Sequence, residues 1–252
     1  MQYFDLDRRR FLRSLAITGS VALGARLLPL GASAAAQPSS GSEVDLFVAL
    51  HSDGTVAITC HRSEMGQHIR TAIAQIIADE MEADWARIKL VQGLGDKRYG
   101  DQNTDGSKSI RLNLQRLRVV GATLRAMLEE AAAAQWGIES TECRAQLHRV
   151  NGPGGKRLDF AELVPGLRGR TPPASRRVRL KSRDQWRYIG KGMAIVDMAD
   201  ILDGSAEYAA DVRLPDTVVA VIARPPVVLA KPVSWNEPAA RAVPGVIDVV
   251  RM

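Results

Sequence analysis

The chain has 252 residues, enough for one or two domains with a sizeable core. Its formal charge is +6, but residues 1–36 hold five Arg and two Asp, a net of +3, so the rest carries only the other +3. That remainder shows no basic stripe interleaved with aromatics, which excludes a nucleic-acid binder. Two cysteines cannot supply the four thiolates of an iron–sulfur cluster, and four scattered histidines give no metal-ligand spacing.

At the N-terminus, Arg8-Arg9-Arg10-Phe11-Leu12-Arg13 fits the twin-arginine export pattern, with Arg10 in the variable place and Asp7 where Ser or Thr is usual. The apolar stretch Ser14 to Leu30 is diluted by Gly19, Gly24, Arg26 and Pro29, too interrupted to span a bilayer comfortably. Ala32-Ser33-Ala34 and Ala34-Ala35-Ala36 both offer small-residue cleavage sites. Residues 1–36 are therefore expected to be a twin-arginine signal peptide. The mature chain is then periplasmic and has no transmembrane segment. Residues 37–43 form a polar spacer.

Val44 to Leu50 reads as a strand, Asp53-Gly54 as a hairpin turn and Thr55 to Cys60 as the returning strand, with Cys60 at a core position. Residues 69–83 form a helix with Ile69, Ile73, Ile76, Ile77 and Met81 as its apolar face, and Arg87 to Val91 a short strand. Gly93 to Ser109 is a polar loop. A long helix follows, carrying Ile110, Leu114, Leu117, Gly121, Leu124, Leu128 and Ala131 at three-four spacing and stopped by Gly137 after Trp136. Asn151-Gly152-Pro153-Gly154-Gly155 marks a turn. Thr171-Pro172-Pro173, with Arg168, Arg170, Arg176, Arg177 and Arg179, marks a solvated linker. The expected organisation is one unit over 44–165, a linker over 166–185 and a second unit over 186–252. In the second unit Val218 to Ala223 and Val246 to Val250 are the expected strands, and Pro238 to Ala242 a short helix.

The segment His61 to Thr71 carries the strongest chemical signal. It joins a strand to a helix through Glu64-Met65-Gly66-Gln67-His68. A Gly at such a turn lets the backbone come close to a ligand, and the free N–H groups at a helix start favour an anion, typically a phosphate. A Gly at this kind of junction also serves geometry alone. Ser107 and Ser109 invite two accounts as well: helix capping, or hydroxyls that bind ligand oxygens at the start of the long helix.

Glu64-Met65-Gly66-Gln67, with Ile69-Arg70-Thr71 and Ala78-Asp79-Glu80-Met81-Glu82-Ala83-Asp84-Trp85, resembles the molybdopterin-contacting segment of the xanthine oxidase family. The resemblance is closest to the large (beta) subunits of the isoquinoline 1-oxidoreductase and periplasmic aldehyde dehydrogenase branch. The family pattern reads Glu-Met-Gly-Gln-Gly, and His68 stands in its last position. Thr104-Asp105-Gly106-Ser107-Lys108-Ser109 is similar to the family's Thr-x-x-Ser-x-Ser/Thr segment, which faces the same cofactor. Residues 186–252 resemble the family's α/β-hammerhead domain.

The resemblance implies an α+β fold: a cofactor-binding portion, with a mixed sheet and packed helices, followed by an incomplete hammerhead domain. It implies that Glu64, Met65, Gly66, Gln67, His68, Thr104, Gly106, Ser107 and Ser109 contact a molybdenum–molybdopterin cofactor, bare or in dinucleotide form. The implied partners are an iron–sulfur small subunit, a c-type cytochrome and, if the large subunit is split, its remainder. The implied reaction hydroxylates an N-heteroaromatic or an aldehyde with water-derived oxygen. The family's Gly-Gly-Gly-Phe-Gly loop and the C-terminal Gly-x-Gly-Glu segment with its catalytic base do not occur in these 252 residues. No residue is therefore assigned as base, and the chain alone is expected to be inactive. The other reading of the same residues is a truncated or split exported fragment that acts only as a binding or structural piece.

Overall fold

A computed structural model describes residues 46–175 and 178–250. The expected signal peptide, the spacer, Val44, Arg176 and Arg177 lie outside the described residues. Two compact units result, divided after Tyr208.

The first unit opens with strands β1 (Val48–Leu50) and β2 (Val56–Cys60), antiparallel with Val48 opposite Ile58 and Leu50 opposite Val56. The expected Asp53-Gly54 turn joins them. The Asp53 carboxylate accepts from the Thr55 amide at 2.8 Å, and the Gly54 amide donates to the His51 carbonyl at 2.8 Å. Helix α1 (Ile69–Met81) follows, and β3 (Ile88–Gln92) returns parallel to β2. The sheet is thus mixed, with the order β1-β2-β3, and β2-α1-β3 is a crossover unit whose helix covers one face. Val56, Ile58, Ile73, Ile77 and Met81 are completely buried between sheet and helix. Helix α1 ends two residues before the expected Ala83, because Glu82 turns left-handed at φ 62° and its amide reaches the Asp79 carbonyl.

The expected long helix is two helices. One turn, α2 (Lys108–Arg111), precedes α3 (Leu114–Trp136), which ends at Gly137 as expected. Asn113 makes the break: its side-chain amide donates to the Ser109 carbonyl at 3.0 Å, taking an acceptor that a continuous helix would use. Helix α3 packs on α1 through Gly121. A Cβ there would stand 2.5 Å from the Ile77 carbonyl oxygen and 2.9 Å from Glu80 Cβ.

A second sheet lies outside the expectations drawn from the sequence. β4 (Arg144–Gln146), β5 (Arg149–Asn151) and β6 (Arg157–Asp159) form an antiparallel meander, followed by α4 (Phe160–Leu167). His148 ties this sheet to the first. Its buried ring accepts from the Asp84 amide at Nδ1 (3.1 Å), so Nε2 carries the proton and donates to the Gly54 carbonyl at 2.8 Å. Burial, aided by the Arg87 cation, pushes its pKa down to about 4.

The stretch 181–191 belongs to the first unit, which corrects the expected boundary at 186. The buried Asp79 carboxylate accepts from Lys181 Nζ at 2.6 Å and from the amides of Arg187, Tyr188 and Ile189 at 2.8–3.2 Å. The Tyr188 hydroxyl donates to the Ala83 carbonyl, and Glu80 accepts from the Lys181 amide. A carboxylate buried this deeply is tolerable only with such partners, so the segment and α1 depend on each other. Composition marked Pro172-Pro173 as the break, but these polar contacts leave no periodic trace in the sequence.

The second unit holds α6 (Glu237–Arg241), close to the expected 238–242, as its helix; α5 (Met198–Asp203) precedes the division. The expected strands at 218–223 and 246–250 are not formed among the described residues. Val219 and Val221 are 92% and 90% exposed. Strand hydrogen bonds need a neighbouring strand, and no pairing is recorded for these segments. An α+β fold is observed; a hammerhead is not.

Three outcomes follow from this packing. Gly121→Ala should destabilise the protein by about 1–3 kcal/mol through overpacking, whereas a solvent-facing helical Gly→Ala would stabilise by roughly 1 kcal/mol. Denaturant unfolding reads the sign, and a stabilised variant would contradict the α1–α3 contact. His148 is neutral when folded and has an unfolded pKa near 6.5, so its contribution is complete above pH 6.5 and is lost as pH falls toward 4. This share should reach about 3 kcal/mol, so His148→Gln should lose that much less stability than the wild type between pH 7 and 4. Limited trypsin digestion should cut first beyond Tyr208, at Arg213 or Arg224, and a primary cut at Lys181 or Arg187 would contradict the assignment of that stretch to the first unit.

Candidate functional site

The first sheet and α1 meet at the segment 61–70, where the chain must leave a buried strand and enter a helix. Gly66 adopts φ 94° and His68 φ 66°, both left-handed. A glycine takes that conformation without strain; His68 does so at a cost of about 1 kcal/mol or more. The Glu64 carboxylate holds the turn: one oxygen accepts from the amides of Gly66 and His68 at 2.9 Å each, the other from the Arg70 amide at 3.2 Å. Burial pushes the Glu64 pKa upward, but the three amide donors outweigh it and keep the carboxyl below its ordinary value. Glu64 therefore does the work of a helix cap, satisfying donors that α1 leaves open.

Gln67 is engaged in the same turn. Its side-chain oxygen accepts from the Met65 amide at 2.7 Å and its side-chain nitrogen donates to the Ser63 carbonyl at 3.0 Å. Met65 projects into solvent, 61% exposed. Its exposed apolar side chain, with the exposed Gly66 and Gln67, makes up the outer surface of the turn.

The loop before α2 runs beside this segment. Thr104 Oγ1 accepts from the Ser63 amide at 3.0 Å, and Gln102 donates to the His61 carbonyl at 3.1 Å. Arg62 donates to the Asn103 carbonyl. Segments some forty residues apart thus form one ridge. Further along, Gly106 and Ser107 are left-handed in succession, with φ 53° and 55°. Ser107 precedes α2, and its hydroxyl makes no capping bond; Ser109 lies inside α2 and offers its carbonyl to Asn113. Neither serine caps the long helix, which starts later. No recorded hydrogen bond joins the Glu64–His68 turn directly to Gly106, Ser107 or Ser109; the contact between the two segments runs through Ser63 and Thr104.

The buried polar atoms mark this region more sharply than the motif does. Among the described residues, six buried side-chain nitrogens lack a hydrogen-bond partner in the protein. Five belong to His61, Arg62, His68 and Arg70, and the sixth to Trp186. Buried polar groups are nearly always satisfied, so such clustering marks a place where water or a ligand would complete the hydrogen bonds. Arg70 Nε has an ion-pair partner in range, Asp197 at 3.5 Å. His61 has none. It lies between Phe47 and Tyr99, and burial, with the Arg62 and Arg116 cations, lowers its pKa to about 4. His61, Arg62 and Arg70 are not among the residues expected from the motif to contact a cofactor. The available signal was the pair His61-Arg62 directly after a strand whose alternation leads into the core.

Cys60 and Cys143 are both free and buried, and burial pushes the Cys60 thiol up to about 11. Among the described residues no group of His, Cys, Asp and Glu could hold a metal ion, and no helix is long and apolar enough to cross a membrane.

Residues 20–197 match the molybdopterin cofactor-binding domain family. The beta subunit of the isoquinoline 1-oxidoreductase of Brevundimonas diminuta is 31% identical over 98% of this chain and 37% of its own length. A membrane-bound aldehyde dehydrogenase (pyrroloquinoline-quinone) of Gluconacetobacter polyoxogenes is 32% identical over 70% of this chain and 23% of its own. A nicotinate dehydrogenase subunit of Pseudomonas putida is 30% identical over 73% of this chain and 15% of its own. The chain therefore spans little more than a third of the length of these relatives at most. The match covers the β2–α1 junction, the loop beside it and the Asp79-anchored segment, and the chain belongs to the molybdopterin cofactor-binding domain family.

Proposed function

We propose that the ridge formed by residues 61–70 and 101–109 is one wall of a molybdenum–molybdopterin site, in a large subunit of a molybdenum-dependent oxidoreductase. The observation that carries this is the cluster of buried nitrogens without a hydrogen bond on His61, Arg62 and His68 at the junction singled out by the Glu-Met-Gly-Gln motif. A pterin with an attached phosphate presents ring nitrogens, a carbonyl and charged oxygens, and so needs many donors and acceptors in one place. The uncapped hydroxyl of Ser107 adds to that set, and the turn at Gly66 and Gln67, whose polar groups are used within the turn, offers an exposed surface beside it. Glu64 is already committed to three amides and serves as a positioning residue rather than a base.

When bound, the cofactor would supply two-electron chemistry at molybdenum, while the chain binds and orients it. The named relatives act on isoquinoline, aldehyde and nicotinate, which supports hydroxylation of a heteroaromatic ring or an aldehyde with oxygen from water. An iron–sulfur subunit, a c-type cytochrome and the further length of the large subunit would complete the electron path. The Arg8-Arg9 signal supports folded export to the periplasm, the route suited to a cofactor that must be inserted before the membrane is crossed.

Ser107 gives the cleanest test, because its hydroxyl holds nothing in the fold. In the assembled complex Ser107→Ala should lose molybdenum on dialysis, reflecting about 1.5–3 kcal/mol of lost bonding to a charged group. The unfolding midpoint of the isolated cofactor-free chain should stay unchanged. Full molybdenum content in this variant would remove Ser107 from the site.

A further inference from the structure

Arg62 is an unusual residue to find at the end of a core strand. Its side chain is 2% exposed, yet the carboxylate recorded beside it, Asp101, is half-exposed and stands 3.9 Å away. One arm of the guanidinium donates to the Asn103 carbonyl, and Nε has no partner. His61, 1% exposed, sits next to it with the Asn113 side chain as its nearest polar neighbour, and neither ring nitrogen makes a well-formed hydrogen bond. Arg116 adds a second cation on the same side: its guanidinium lies 4.9 Å from the centre of the Phe47 ring and donates to the Tyr99 carbonyl. A buried guanidinium balanced only by a distant, solvated carboxylate is poorly compensated. Its fork of N–H donors suits two oxygens of one anion better than a single carbonyl.

We propose that Arg62, with His61 beside it, is the receptor for a phosphate group, whose oxygens take the places now held by the Asn103 carbonyl and the Asp101 carboxylate. The loop 101–104 then acts as a stand-in ligand that yields to the phosphate. Two sources share this chemistry, the phosphate of the bound cofactor and free phosphate. The first rests on the cofactor reading above. Neither Arg62 nor His61 belongs to the Glu-Met-Gly-Gln or Thr-x-x-Ser segments, so the contact is additional to theirs.

Thermal unfolding of the purified chain at constant ionic strength, with pyrophosphate as the probe, tests it. The wild-type melting temperature should rise with pyrophosphate. Arg62→Met should weaken the apparent affinity about tenfold or more, and Arg62→Lys, which keeps the charge and loses the fork, should weaken it by less. If Arg62→Met does not fold, Arg62→Lys alone decides the matter through the same shift. No rise in the wild type, or an equal rise in the Arg62 variants, would overturn the inference. In the assembled complex, Arg62→Lys should also retain less molybdenum; full retention alongside a weakened pyrophosphate response would identify free phosphate as the occupant. Absence of molybdenum from the wild-type complex would instead overturn the cofactor reading and leave the pyrophosphate result standing.

Discussion

The Glu64 carboxylate sets the geometry on which the candidate site depends. Three backbone amides converge on its two oxygens, and they come from Gly66, His68 and Arg70, on both sides of the point where the chain turns into α1. Without this anchor the left-handed conformation of His68 would have nothing to oppose its strain. With it, the turn is fixed relative to β2, and Ser63 is in place to receive Thr104 from the neighbouring loop. A side chain that looks like a candidate acid or base is thus spent on holding backbone, which leaves the exposed surface of the turn for other contacts.

The second constraint lies at the far end of α1. Gly121 brings α3 within contact of the α1 backbone, and Asp79 and Glu80 collect the Arg118, Lys181 and 187–189 donors around that helix. A rigid α1, packed on β2 and β3 on one side and α3 on the other, carries the turn at its N-terminus. Function and packing are linked through one helix. The pocket bounded by Arg70, Trp85, Leu90 and Asp197, about 230 Å³, lies along the same element.

Much of the first sheet was legible because it obeys strong local rules. Asp53-Gly54 forces a hairpin, the Ile-rich face of 69–81 has helical spacing, and Gly137 ends a helix. The β4–β6 meander was not, because its strands have three residues each and only Val150 and Leu158 of it point into the core. A period of two cannot be read from three residues. Helix α4 does show its face at Phe160, Leu163, Val164 and Leu167, but eight residues with Pro165 and Gly166 inside them give too short a period to mark a helix from sequence. The break before α3 rests on one Asn113 hydrogen bond, and the place of 181–191 on Asp79; neither leaves a pattern in the sequence. At the site, motif reasoning found the turn and the neighbouring loop. It passed over the buried His61 and Arg62, whose significance lies in missing partners that only coordinates reveal.

On the proposed function, one ridge, 61–70 with 101–109, faces the cofactor. Amide hydrogen exchange on the assembled complex, compared with and without its molybdenum cofactor, measures this directly. Added protection should concentrate at Gly66–Arg70 and Asn103–Ser109, with little change in β4–β6. Protection confined to other segments, with these two unchanged, would contradict it.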